Sequence, residues 1–86
     1  MPVLSIFFGI TVYLNIRGEH NPPHIHAKYG EHEAAFEIAT GNLIGDFPRK
    51  QTRIVQAWIE IHREDLILNW ELARTTGEIS KIAPLN

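Results

Sequence analysis

Three histidines, His20, His24 and His26, fall within a short stretch of this chain, and Pro22 and Pro23 stand between the first and the second. In an extended strand, residues i and i+2 project to the same face, so His24 and His26 share a face that points away from Ile25. Two strand imidazoles presented in this way, with His20 from the preceding loop and a carboxylate such as Glu37, form a donor set suited to a divalent transition metal such as zinc. Imidazole also titrates near neutral pH, so the same cluster suits metal-free acid/base chemistry or contact with phosphate. A third reading is structural: strand histidines paired with Glu37 beside a turn that two prolines make rigid. On the residues alone the three readings stay open. Gly18, His24, His26 and Glu31 match the first half of a cupin metal motif, but the second half is absent and the C-terminal part of the chain reads as helix. A histidine-triad hydrolase would need a third alternating histidine where Lys28 stands.

The elements that must position this cluster can be read from periodicity. From Leu4 to Ile16 apolar residues recur at every second position, with Ser5, Thr11, Tyr13, Asn15 and Arg17 on the other side, which predicts extended chain that Gly9 bends, bulges or divides into two strands. Gly18 to Pro23 forms a loop, since the prolines cannot donate to a ladder. Ile25, Ala27 and Tyr29 alternate with His24, His26 and Lys28, and Ala34, Phe36 and Ile38 alternate with Glu33, Ala35 and Glu37. Gly30 and Glu31 between these runs suit a type II′ hairpin turn. Counting outward from that turn pairs Tyr29 with His32, Lys28 with Glu33, Ala27 with Ala34, Ile25 with Phe36 and His24 with Glu37, with Ala35 opposite His26 leaving space beside the ring. Thr40 to Asn42 is a further turn, and Leu43 to Gly45 a short last strand.

From Pro48 the period becomes helical, with Ile54, Val55, Trp58, Ile59, Ile61 and His62 on one stripe and Asp46 and Pro48 placed to start the helix. An unbroken helix to Thr76 would carry Asp65 and Asn69 into the apolar stripe, so a kink is expected between His62 and Glu64. The second segment then buries Leu66, Ile67, Trp70 and Ala73, Gly77 stops it, and Ile79, Ile82 and Leu85 in the tail are available for packing. Trp58 and Trp70 read as core anchors and His62 as a hydrogen-bonded core histidine. Arg49, Lys50 and Arg53 crowd the first turns, where the helix dipole favours anions. They form either a candidate anion site, for RNA phosphate or an acidic partner, or a solvated face. The fold class expected is α+β: a three- to four-stranded antiparallel meander, one face covered by a long or kinked C-terminal helical region and the histidine face open.

The 86 residues give room for one domain, 1–86, and the absence of cysteine excludes disulfides and thiolate zinc sites. A reducing cytoplasm is the expected location, and the polar interruptions of the N-terminal apolar run argue against a membrane span. A formal net charge of −2 gives no overall attraction to nucleic acid.

Phe8-Gly9-Ile10, His20-Asn21-Pro22-Pro23-His24-Ile25-His26-Ala27, Tyr29-Gly30, Trp58, His62-Arg63 and Asn69-Trp70-Glu71-Leu72-Ala73, together with Met1-Pro2, resemble the small bacterial proteins grouped as domain of unknown function 4160. One departure is Ile25, where that pattern has Phe. The resemblance implies a small cytoplasmic component encoded beside another small domain, of the kind suspected in toxin–antitoxin-type pairs, and carries over no catalytic residue. Two functions follow as expectations. The first is a binding module that docks a small cognate protein, with RNA as a second candidate partner and self-association compatible with it. The second is a small metal-dependent or histidine acid/base hydrolase, for example acting on RNA.

Overall fold

The computed structural model describes residues 2–15 and 21–85. His20 of the candidate cluster lies outside the described residues. Five strands form one antiparallel meander in chain order: β1 (Val3–Phe7), β2 (Ile10–Tyr13), β3 (His24–Tyr29), β4 (His32–Glu37) and β5 (Leu43–Ile44). A single long helix, α1 (Arg49–Thr75), follows. The α+β class is as expected, and the sheet has five strands because Gly9 divides the N-terminal apolar run into a hairpin.

That hairpin turns on Phe8 and Gly9, both with positive φ, 49° and 77°. Positive φ at both central residues defines the type I′ turn, whose twist matches that of paired strands. The turn and a bulge between Val3 and Ser5 shift the period, so Phe7 is buried while Ile6 and Phe8 are exposed. A simple alternation from Leu4 to Ile16 therefore misplaces Ile6 and Phe8. The left-handed conformation costs a side-chain-bearing residue about 1–2 kcal/mol, and asparagine tolerates it best after glycine. Phe8→Asn is accordingly expected to stabilise the fold by about 1 kcal/mol, seen as a higher melting temperature. An unchanged or lower one would show that the exposed ring makes contacts that outweigh the backbone cost.

The hairpin of β3 and β4 has the register counted from its turn: His24 opposite Glu37, Ile25 opposite Phe36, His26 opposite Ala35, Ala27 opposite Ala34, Lys28 opposite Glu33 and Tyr29 opposite His32. Gly30 has φ 58° while Glu31 does not enter the positive region, which is the type II′ combination. One face of the sheet supplies Ile10, Val12, Ile25, Ala27 and Phe36 to the core, against Val55, Trp58, Ile59, Leu66, Trp70 and Ala73 of the helix.

α1 is interrupted at His62, whose φ and ψ of −111° and 19° are non-helical. The kink falls within the expected stretch from His62 to Glu64. After it Leu66, Trp70 and Ala73 are buried, Asp65 is exposed, and Asn69 is buried with both ends of its amide bonded. Its Nδ2 donates to the Asp65 carbonyl, and its Oδ1 accepts from the Ser80 backbone N–H at 2.7 Å. Asn69 thus pins the returning tail, whose Ile82 N–H donates to the Leu4 carbonyl beside the β1 bulge. Ile61 and Ile67, expected on the buried stripe, are exposed: the stripe runs on through the kink, with Leu66, Asn69 and Trp70 about three turns after Val55, Trp58 and Ile59, and both isoleucines lie off it. Asp46 is not the helix cap either: Pro48 occupies that position and no side chain caps it. The helix ends as expected, with Gly77 at φ 77° donating back to Leu72.

Candidate functional site

The face of the sheet opposite the core is assembled from cross-strand pairs. Ile6, Thr11, Lys28 and Glu33 form one row across β1 to β4, and Tyr13, His26, Ala35 and Ile44 form the next across β2 to β5. His24 and Glu37 follow at the end where β3 begins. Strand alternation puts His24 and His26 together, as the sequence implies. Pairing with β2 then sets Tyr13 beside His26, which no count along the sequence gives, because the connection from β2 to β3 is long.

The rings form a continuous row. Tyr13 stacks on His26 at 5.3 Å between centroids, His26 meets His24 edge-on at 5.1 Å, and His24 packs against Trp70 of the helix at 5.1 Å. Hydrogen bonds fix the orientation of each imidazole. His24 Nδ1 lies 2.9 Å from the Pro22 carbonyl, which can only accept, so the neutral ring carries its proton on Nδ1. His26 Nε2 lies 3.3 Å from Asn15 Nδ2, a donor, and so accepts there. The Tyr13 hydroxyl donates to the Glu33 carboxylate. The Pro22 to Pro23 segment is tied to the sheet in turn, since Ile38 N–H donates to the Pro23 carbonyl at 3.0 Å.

The histidine end of this face is less open than expected. Tyr13 is only 3% exposed and His24 and His26 are half-buried, whereas Lys28 and Glu33 are exposed. Glu37 stands opposite His24, and its Oε1 accepts from Thr40 Oγ1 at 3.0 Å within the β4 to β5 turn. Among the described residues no three histidine, cysteine or carboxylate side chains converge as a metal-binding group. Arg49, Lys50 and Arg53 are exposed at the start of α1. Arg53 precedes Trp70, the helix residue that touches His24, by 17 positions, about 25 Å along an α-helix, so the helix start does not lie beside the histidines.

The helix is held to the sheet near this corner by Arg63. Its Nε donates to the Ile38 carbonyl at 3.0 Å and its Nη2 to Glu60 at 2.9 Å. That hydrogen bond, with the guanidinium charge, holds the Glu60 carboxyl below its ordinary value. Trp58 packs on His62 at 5.5 Å, so His62 belongs to the packing under the kink.

Fold and corner together define the class: an antiparallel five-stranded meander crossed by one kinked helix, with a row of aromatic and imidazole rings at one end of the sheet's outer face. The chain belongs to the family described as Domain of unknown function (DUF4160), whose model matches residues 9–71. That match takes in the Phe8 to Gly9 turn from its second residue, His24 and His26 of the cluster, and Trp70. No curated protein and no solved structure matches the chain. Among the described residues no helix is long and apolar enough to cross a membrane.

Proposed function

We propose that this chain is the binding component of a cytoplasmic toxin–antitoxin-type pair and that it docks a small cognate protein through the sheet face carrying His24 and His26. The observation behind this reading is the fixed ring row, in which each imidazole is committed by stacking and by a hydrogen bond to one pose. Rigid, amphipathic rings lose little conformational entropy on binding and are enriched where interfaces concentrate their energy. Around them the same face presents the exposed apolar side chains of Ile6 and Ile44 and the charges of Lys28 and Glu33, which is the composition of a docking surface.

The test is complex formation with the product of the neighbouring gene, followed by calorimetry on the purified chains. The double variant His24→Ala with His26→Ala is expected to weaken binding by about 100-fold, as for two interface residues at about 1.4 kcal/mol each. Because both rings also pack against Tyr13 and Trp70, Lys28→Glu serves as a second probe that leaves the core untouched. It is expected to weaken binding by about tenfold and to change its salt dependence. Full binding by both variants would refute the assignment. Turnover of RNA with stoichiometric metal, lost in the histidine variants, would instead make the protein the small hydrolase.

A further inference from the structure

The outer side of α1 carries a stripe that the histidine face does not use. It begins with three cations, Arg49, Lys50 and Arg53, continues through Ala57 and Ile61, and ends with the carboxylates of Glu64 and Asp65 and with Leu68. All of these are exposed, Ile61 at 64% and Leu68 at 58%. We propose that this stripe pairs with the same stripe of a second copy, antiparallel, about a two-fold axis passing between Ala57 and Ile61.

Three observations favour a second copy over any other occupant. First, the charge order is self-complementary under that operation. With Ala57 facing Ile61, Arg53 faces Asp65 of the second copy and Glu64 lies next to it, and the symmetry makes each pair occur twice. A partner of uniform charge would satisfy one half of the stripe and repel the other.

Second, the cations stand where α1 is least able to tolerate them. The first turn holds no acidic residue, no side chain caps the N-terminus, and the dipole there is positive. Cations at that end are unfavourable by a few tenths of a kcal/mol each. Carboxylates brought in by an antiparallel helix offset that penalty, and among the described residues no ion pair within the chain engages these cations.

Third, shape matches as charge does. The side chains of Arg49, Lys50, Arg53 and Ile54 line a surface depression of about 470 Å³. The stems of such side chains are aliphatic, so the walls are apolar beneath charged tips. In the same register Leu68 of the second copy falls opposite Lys50 and lies over this depression, and the two-fold repeats the contact at the other end.

Sedimentation equilibrium of the full chain decides the matter. At low salt and about 100 µM, above the Kd range of all but the weakest specific interfaces, the mass expected is twice the 9.8 kDa of one chain. Ile61→Glu is expected to raise the dimer dissociation constant at least about tenfold, as is Arg53→Glu, while Arg53→Glu combined with Asp65→Arg restores association by reversing both pairs. All three side chains involved are exposed, so circular dichroism should stay unchanged. A monomer at low salt overturns the proposal, and so does a dimer that tolerates both single variants or one lost with His24 and His26 instead.

Discussion

Replacing Trp58 by alanine is expected to destabilise the protein by about 3 to 5 kcal/mol, the usual cost of emptying a buried aromatic site. Trp58 is fully buried, lies 5.2 Å from the ring of Phe7, and donates its indole N–H to the Ala83 carbonyl at 2.8 Å. It therefore joins three parts of the chain: the first hairpin, the helix before its kink, and the returning tail. Domains of this size are stable by about 5 to 15 kcal/mol in total, so the loss takes a large part of the margin. The melting temperature should fall by tens of degrees, at about 4 to 8 °C for each kcal/mol. Trp58→Phe separates the two contributions. It keeps most of the ring and removes the bond to Ala83, so a smaller loss of about 1 to 2 kcal/mol is expected, with faster amide exchange at Ile82. An unchanged melting curve in Trp58→Ala would mean that the ring is not the anchor its burial indicates.

The same residues show what could be read from the sequence and what could not. The β3 and β4 register was legible to the residue, because a two-residue turn with glycine first leaves no freedom in counting outward, and the pairings on both faces were chemically sensible. The kink was legible at His62, although only Asp65 turns out of the apolar stripe, and Asn69 stays buried in it because both ends of its amide are bonded. Ile6 was not, because a bulge in β1 shifts alternation by one residue and leaves no mark in a run where both neighbours are small or apolar. Ile61 and Ile67 failed for a different reason: both lie beside the stripe, where apolar character alone does not separate a buried position from an exposed one.

The candidate site was legible in part. That His24, His26 and Tyr13 occupy one side of their strands follows from alternation alone. That Tyr13 stacks on His26 depends on how β2 pairs with β3, and the connection between them is too long to set a register. Trp70 was placed in the core by its helical spacing, and it is there, but its ring also reaches His24. Periodicity assigns a residue to a face and says nothing of how far a large ring extends beyond that face. Glu37 faces His24 as counted, yet its carboxylate is engaged by Thr40, a turn contact that strand pairing does not reveal.

This double position of Trp70 makes it the link between stability and site, and Trp70→Ala is expected to damage both. The side chain is 2% exposed, so its removal should cost about 3 to 5 kcal/mol by the same reasoning as at Trp58. His24 would lose the helix surface against which its ring rests, and the histidine row should become more mobile. Trp70→Phe distinguishes the two effects. The indole N–H of Trp70 has no hydrogen-bond acceptor among the described residues, and a buried donor left unpaired costs about 1 to 3 kcal/mol. Phenylalanine removes that donor and leaves a small cavity, two changes of opposite sign, so the melting temperature should move far less than in Trp70→Ala. The imidazole resonances of His24 and His26, followed by NMR, supply the readout that stability does not. They should keep their wild-type positions in Trp70→Phe, where a ring still backs His24, and shift and broaden in Trp70→Ala measured at a temperature where that variant remains folded. Unshifted imidazole signals in folded Trp70→Ala would show that the histidines are positioned by the sheet and the Pro22 to Pro23 segment without the helix.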